Sequence, residues 1–221
     1  MRNNKVRYMT NVGMLSAVAY IFALVGSLVP IQFNSFLRYD PKDAIIVIAG
    51  FALGPMASLL VSVLVAFLEL ITISTTGLIG FAMNIISSAA FSCIAALVYK
   101  RLRTLNGAIY GLALSSAVTV GLMIVWNYLV TPVYMGVPRQ VVAEMLVPVF
   151  LPFNLIKCGL NAGLTMLLYK PSVQAMRRVG LISARVENSS KKLKSGLYIV
   201  LPTLIFIAFM IVLFIIFKPN S

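Results

Sequence analysis

Gly121-Leu122-Met123-Ile124-Val125-Trp126-Asn127-Tyr128-Leu129-Val130 closes an apolar run that begins at Gly107 and holds no charged side chain. A helix rises about 1.5 Å per residue, so about 20 such residues cross the hydrocarbon core of a bilayer. The run is long enough to span. Other apolar segments stand at 12–30, 44–54, 55–73, 81–99, 145–169 and 197–217. Those at 44–54 and 55–73 are short and meet at Gly54-Pro55, which predicts a tight turn between two shorter helices. Hydrophobic residues make up 61% of the chain and charged residues 10%, where a soluble domain has about 25% charged. The expected fold is all-α, an integral membrane bundle of six transmembrane helices with one further C-terminal transmembrane helix. The expected organisation is a substrate-binding membrane domain at 1–175, a basic cytoplasmic linker at 176–196, and the additional helix at 197–217.

Charge sets the expected orientation. The 221 residues include 18 Lys and Arg against five acidic residues, a net charge of +13. In a soluble protein that excess would suggest nucleic acid. Here the bases lie in Arg2–Arg7, Lys100–Arg103 and Lys170–Lys194, between the apolar runs. A cytoplasmic N-terminus puts all three groups on the inner side, as the positive-inside rule requires. The partner implied is membrane lipid, with no nucleic acid. Met1–Arg7 followed by an apolar run resembles a signal peptide, but Val12–Val29 is long enough to span and no small-x-small cleavage site follows. It is read as a retained first helix.

Several chemistries are missing from the sequence. There is no histidine, which removes histidine-ligated zinc and Ser-His or Cys-His catalysis. Cys93 and Cys158 sit inside apolar runs and read as small buried hydrophobes rather than a disulfide or metal site. No glycine-rich loop leads into Lys-Ser or Lys-Thr, so no phosphate-binding loop for nucleotide is present. The chain is expected to be no enzyme, to hold no cofactor or metal, and to need another subunit to energise transport.

Polar residues inside the spans carry the functional signal, because such groups are costly in lipid. Glu69, Asn84, Asn127, Asn154 and Lys157 all fall near the outer ends of their segments. Asn154, Lys157 and Asn161 are three and four apart and share one helical face. With Pro152 suited to a first turn, they predict a helix starting near residue 152 with an inward polar stripe, whose buried lysine needs a carboxylate or ligand acceptors. Trp126, Tyr128, Tyr134, Phe150 and Phe153 lie close by. They fit either an interfacial aromatic belt or the wall of an apolar pocket with a few placed polar groups. Asparagines can also act as interhelical glue, worth about 0.6 kcal/mol each. In the first outer loop, Asp43 is read as the cap of the second helix and Asp40 as a turn residue. Ala19 and Ala23 form a small-x-x-x-small pair that lets another helix approach, inside the protein or outside it.

The loop Leu37-Arg38-Tyr39-Asp40-Pro41-Lys42-Asp43, followed by Gly50-Phe51-Ala52-Leu53-Gly54-Pro55, resembles the substrate-binding S components of energy-coupling factor (ECF) vitamin transporters. Asn127-Tyr128-Leu129-Val130-Thr131-Pro132-Val133-Tyr134 and Pro152-Phe153-Asn154-Leu155-Ile156-Lys157-Cys158-Gly159 resemble the riboflavin-specific members. The likeness covers roughly residues 8–175. It implies capture of riboflavin outside the cell membrane, and work alongside a transmembrane coupling subunit and two cytoplasmic ATPase subunits. It also implies that Asn127, Asn154 and Lys157 contact the flavin, that Leu37 and the loop after it close the site, and that Ala19 and Ala23 dock the coupling subunit. Asn84, Tyr128 and Tyr134 complete the expected binding set. Two features depart from the pattern: the seventh apolar segment, and Glu69, which leaves room for a different ligand. The rival readings are an S component for another vitamin or precursor, a stand-alone proton-coupled carrier using Glu69 or Lys157, and an intramembrane enzyme or structural subunit.

Overall fold

The computed structural model describes residues 2–28, 32–34, 37–178 and 194–217. Eight α-helices carry the chain: α1 (Arg2–Leu28), α2 (Lys42–Leu53), α3 (Pro55–Thr72), α4 (Gly77–Leu102), α5 (Leu105–Met135), α6 (Arg139–Met145), α7 (Leu151–Arg178) and α8 (Lys194–Phe217). A small antiparallel hairpin, β1 (Gln32–Asn34) with β2 (Leu37–Arg38), follows α1. Most of the expected linker, residues 179–193, lies outside the described residues.

Among the described residues, six helical runs are long and apolar enough to cross a membrane: Lys5–Leu28, α3, α4, α5, Arg139–Ser172 and Val200–Phe217. The helix α2 is not one of them. Its 12 residues extend only about 18 Å, too little to span alone. It forms the centre of the bundle instead. Every residue from Lys42 to Phe51 is buried, and α1, α3, α4 and α7 all pack on it. A helix apolar on all sides is stable only when surrounded. Gly50 allows this closeness, since a Cβ there would lie 2.0 Å from Ser58 Oγ and 2.7 Å from Ala96 Cβ. The chain then reverses at Gly54, whose φ of 98° suits glycine, and Pro55 opens α3, as the sequence predicts.

The connections from α4 to α5 and from α5 to α6 are also short. Between α4 and α5, Arg103 adopts a left-handed φ of 47°, and Thr104 caps α5 by accepting from Gly107 N at 3.0 Å. Gly136, also left-handed, ends α5. The helix expected to begin near Pro152 is α7, which opens at Leu151 within a longer helical run. Its run begins at Arg139, passes through a π-helical turn at Leu146–Phe150, and continues as α7. Pro152 is tolerated because the wider turn already disturbs the hydrogen-bond ladder before it. The last helix, α8, packs on α7.

The inner packing also corrects the reading of Ala19 and Ala23. Both are buried, at 0% and 2% exposure. Ala19 belongs to a core group with Ile45, Ile46 and Val61 of α2 and α3. Ala19 serves close approach of helices inside the bundle, Ala23 lines a hollow between the helices, and neither is exposed on the outer face of α1.

Candidate functional site

The residues after the hairpin reach into the bundle as a cluster of ionised side chains. Lys42, the first residue of α2, is buried at 1% exposure. Its Nζ donates to both oxygens of Glu69 on α3, at 2.7 and 2.5 Å. Asn84 on α4 donates to Glu69 Oε2 at 3.0 Å. One turn further along α4, Ser88 donates to Asp43 Oδ1 at 2.5 Å. Lys157 on α7 stands between two carboxylates, 3.6 Å from Asp40 and 3.7 Å from Asp43. Asn161 donates to the Asp40 carbonyl at 3.2 Å. One loop and four helices thus converge on a few charges. Isolated, each would be prohibitive in lipid, but paired and hydrogen-bonded they are tolerated. Gly26 on α1 lets the loop pass, since a Cβ there would sit 3.0 Å from Pro41 Cδ and 3.2 Å from Asp40 Cα.

The electrostatics of the loop follow from this pairing. Burial works to raise the Asp40 carboxyl, but the charges of Lys157 and Lys42 outweigh it and hold the group below its ordinary value. Tyr39 is pushed the other way, by burial first and then by the negative charges of Asp40 and Asp43. Its phenol stays protonated.

Two cavities open beside the cluster. The larger, about 150 Å³, is polar and is lined by Asp40, Glu69, Asn84 and Lys157, with Arg38, Phe153 and the Ser74–Thr76 turn at its sides. The smaller, about 40 Å³, is apolar and is lined by Ile79, Trp126, Val130 and Tyr134, with Asn127 and Thr131 as its polar groups. Leu37, Thr76 and Met83 line both cavities and form the partition between them.

The expected site residues fall out unevenly. Leu37, Asn84 and Lys157 line the polar cavity, and Asn127 and Tyr134 line the apolar one. Asn127 accepts from Thr131 Oγ1 at 2.9 Å and donates to the Met123 carbonyl at 2.7 Å. Asn154 is buried and donates to the Phe150 carbonyl at 2.8 Å, behind the π turn. It lines neither cavity. Tyr128 also lines neither, and is 41% exposed. It sits one residue from Asn127, about 100° around the helix, and so turns away from the site. Asp43 does not cap α2, whose start has no side-chain cap. It accepts from Ser88 and faces Lys157 instead.

Lys42 and Ser88 are the members that sequence reasoning missed. A usable signal existed: Glu69 was an unexplained carboxylate inside a span, and Lys42 was a cation leading directly into an apolar helix. Glu69 now has a structural partner, so its presence no longer argues for a different ligand.

Chemically the arrangement offers acceptors. Three carboxylates, Asp40, Asp43 and Glu69, face two ammonium groups. Two buried oxygens, Asp40 Oδ1 and Asn161 Oδ1, have no hydrogen-bond partner. A ligand rich in hydroxyl or N–H donors would satisfy them. Among the described residues, no group of three His, Cys, Asp or Glu side chains is placed to hold a metal ion.

A membrane bundle with a charged hollow between its helices is a ligand-binding membrane protein. Comparison with known proteins gives the class its family. The family model described as "ECF transporter, substrate-specific component" matches residues 7–169, and the chain belongs to that family. It is a multi-pass membrane protein, part of a transporter and not an enzyme. It is 26% identical over 185 residues to "Riboflavin transporter RibU" of Staphylococcus aureus (strain TCH60), an alignment covering 81% of this chain and 96% of the relative. It is 29% identical over 162 residues to "Riboflavin transporter FmnP" of Bacillus subtilis (strain 168), covering 69% and 85%. A solved structure described as the S component of a bacterial ECF transporter superposes with a TM-score of 0.66 at 26% identity, over 79% of this chain and 99% of that one.

Proposed function

We propose that the chain captures riboflavin at the outer face of the cell membrane for uptake. Two relatives, 26% and 29% identical, are named riboflavin transporters. The observation that carries the reading is the pair of cavities sharing one wall. Riboflavin joins a flat, largely apolar ring system to a chain of hydroxyls. The apolar cavity, with Trp126, Tyr134 and Asn127, suits the ring, since aromatic faces stack and one amide supplies both a donor and an acceptor. The polar cavity, lined by Asp40, Glu69, Asn84 and Lys157, suits the hydroxyls. Each cavity is smaller than the roughly 300–1,000 Å³ of drug-sized ligand sites. Loading therefore requires Leu37 and Met83 to swing aside and join the two, with the Leu37–Pro41 loop closing over the ligand. In this reading Leu37, Asn84, Asn127, Tyr134 and Lys157 contact the ligand, Asn154 braces the wall, and Tyr128 is not part of the site.

Membership of the family supports the rest of the reading. Residues 1–175 form the capture unit, 176–196 a cytoplasmic linker and 197–217 an appended helix, with the N-terminus in the cytoplasm. Energy comes from a transmembrane coupling subunit and two cytoplasmic ATPase subunits. The docking surface for the coupling subunit lies on the outward face of α1, where Gly13 and Ala17 are exposed four residues apart. A Cβ at Gly13 would meet nothing within 4 Å, so a partner helix can approach closely there. The test is direct. Purified protein should quench riboflavin fluorescence at submicromolar concentration. Binding of another vitamin with no response to riboflavin would transfer the site to that ligand.

A further inference from the structure

The family match ends at residue 169, well before α8. The helix nevertheless has a specific seat. On α7, Gly159 and Gly163 are one turn apart and face it. A Cβ at Gly159 would lie 2.7 Å from Met210 Sδ, and one at Gly163 would lie 2.6 Å from Ile207 Cγ1. The absence of both side chains lets α8 lie closely along α7, the small-x-x-x-small solution to helix packing in lipid. The pairing of 159 with 210 and 163 with 207 also makes the two helices antiparallel. The C-terminal half of α8 therefore lies beside the part of α7 that carries Asn154 and Lys157.

Contact extends from there to the ligand. Ile207, Met210, Leu213 and Phe214 pack against one apolar group that includes Leu37, Phe150 and Phe153. Leu37 and Phe153 are also walls of the polar cavity. The apolar group that α8 packs against thus also supplies two walls of the hollow. Leu37 is the residue whose displacement joins the two cavities. Most of α8 otherwise faces outward, with Ile205, Phe209, Ile215 and Ile216 all exposed, so the helix has little other packing to explain its place.

We propose that α8 is a built-in strap on α7, which backs the Leu37–Phe153 wall and slows escape of the bound ligand. The inference rests on the riboflavin reading of the cavities. It predicts that the strap acts on ligand release, because loading and release both require the wall to move but only the closed wall is braced.

Two full-length variants test it from opposite sides of the contact. Gly159→Leu/Gly163→Leu adds bulk on α7 and lifts α8 off its seat. Ile207→Ala/Met210→Ala removes the side chains that α8 inserts, leaves α7 unchanged, and serves if the bulky variant does not fold. Riboflavin is bound, then chased with excess unlabelled vitamin analogue, and fluorescence recovery gives the dissociation rate. The expected result is release about tenfold faster, equivalent to about 1.4 kcal/mol. Met210→Leu, which keeps the volume, should restore slow release. If the parent chain quenches riboflavin and both altered chains release it at the parent rate, the strap is overturned while the ligand reading stands. If the parent chain leaves riboflavin fluorescence untouched, the ligand reading falls and the strap with it.

Discussion

Lys42 Nζ lies 2.7 and 2.5 Å from the two carboxylate oxygens of Glu69, with both side chains buried in the bundle. The pair joins the entrance loop to α3, and Asn84 ties α4 to the same carboxylate. It fixes where α2 begins, and hence where Asp43 meets Ser88 and Lys157. The ligand cavity is held open on a frame of charges.

That frame predicts a strong asymmetry between single and double substitution. Lys42→Met leaves the Glu69 carboxylate unpaired, and Glu69→Leu leaves the Lys42 ammonium facing only Asp40 at 3.8 Å. Each should cost about 3–5 kcal/mol, because a lone charge is left buried. The double variant, apolar at both positions, should recover most of that loss. Thermal unfolding in detergent measures all three. A double variant whose loss equals the sum of the two single losses would show that the two side chains are not coupled.

Neighbouring residues on α5 should behave oppositely. Asn127→Ala removes a cavity-lining amide and should weaken riboflavin binding by about 10- to 100-fold, the cost of one or two buried hydrogen bonds. Tyr128→Ala should leave affinity within about twofold, since that side chain lies outside both cavities. A fluorescence titration compares them. Equal losses at both positions would move the ligand elsewhere on α5.

The partition between the cavities can be blocked. Met83→Trp fills the space through which the two hollows join, and should abolish riboflavin binding while the protein remains folded and monodisperse. Met83→Ala enlarges the passage and should retain binding. Full affinity in the tryptophan variant would mean that the ligand occupies one cavity alone.

Two positions on α1 separate folding from coupling. Ala17→Leu, on the exposed face, should abolish vitamin uptake in cells while the purified protein still binds riboflavin. Ala19→Leu, at 0% exposure, should instead destabilise the protein by about 1–3 kcal/mol through overpacking. Uptake assays paired with detergent melting curves distinguish the outcomes. Normal uptake in the Ala17 variant would place the docking surface off this face of α1.

What the sequence disclosed, and what it hid, divides along physical lines. Apolar runs report burial in lipid residue by residue, so the spans, the Gly54-Pro55 turn and the appended α8 could all be read. Lys157 could be predicted to need a carboxylate because an unpaired cation in a span is untenable. Its partners, Asp40 and Asp43, lie more than a hundred residues away, and only the fold brings them near. Lys42 passed for a loop cation because linear position cannot tell a side chain at the membrane surface from one folded inward by a buried helix. Asp43 passed for a helix cap because its place at the start of α2 fits that role locally. Ala19 and Ala23 have the spacing of a close helix contact, and both are buried in the bundle. An α-helix has an inward and an outward stripe, and with small residues on both, the pattern alone does not say which is which. The π turn before Leu151 has no composition signal, and so the helical run that leads into α7 from Arg139 is not legible in the sequence.

The most direct test of the account is a riboflavin titration of the purified full-length protein, followed by flavin fluorescence. The account predicts saturable quenching with one ligand per chain, weakened in Asn127→Ala, lost in Met83→Trp and kept in Tyr128→Ala. A folded protein that leaves riboflavin fluorescence unchanged at micromolar concentration would contradict it.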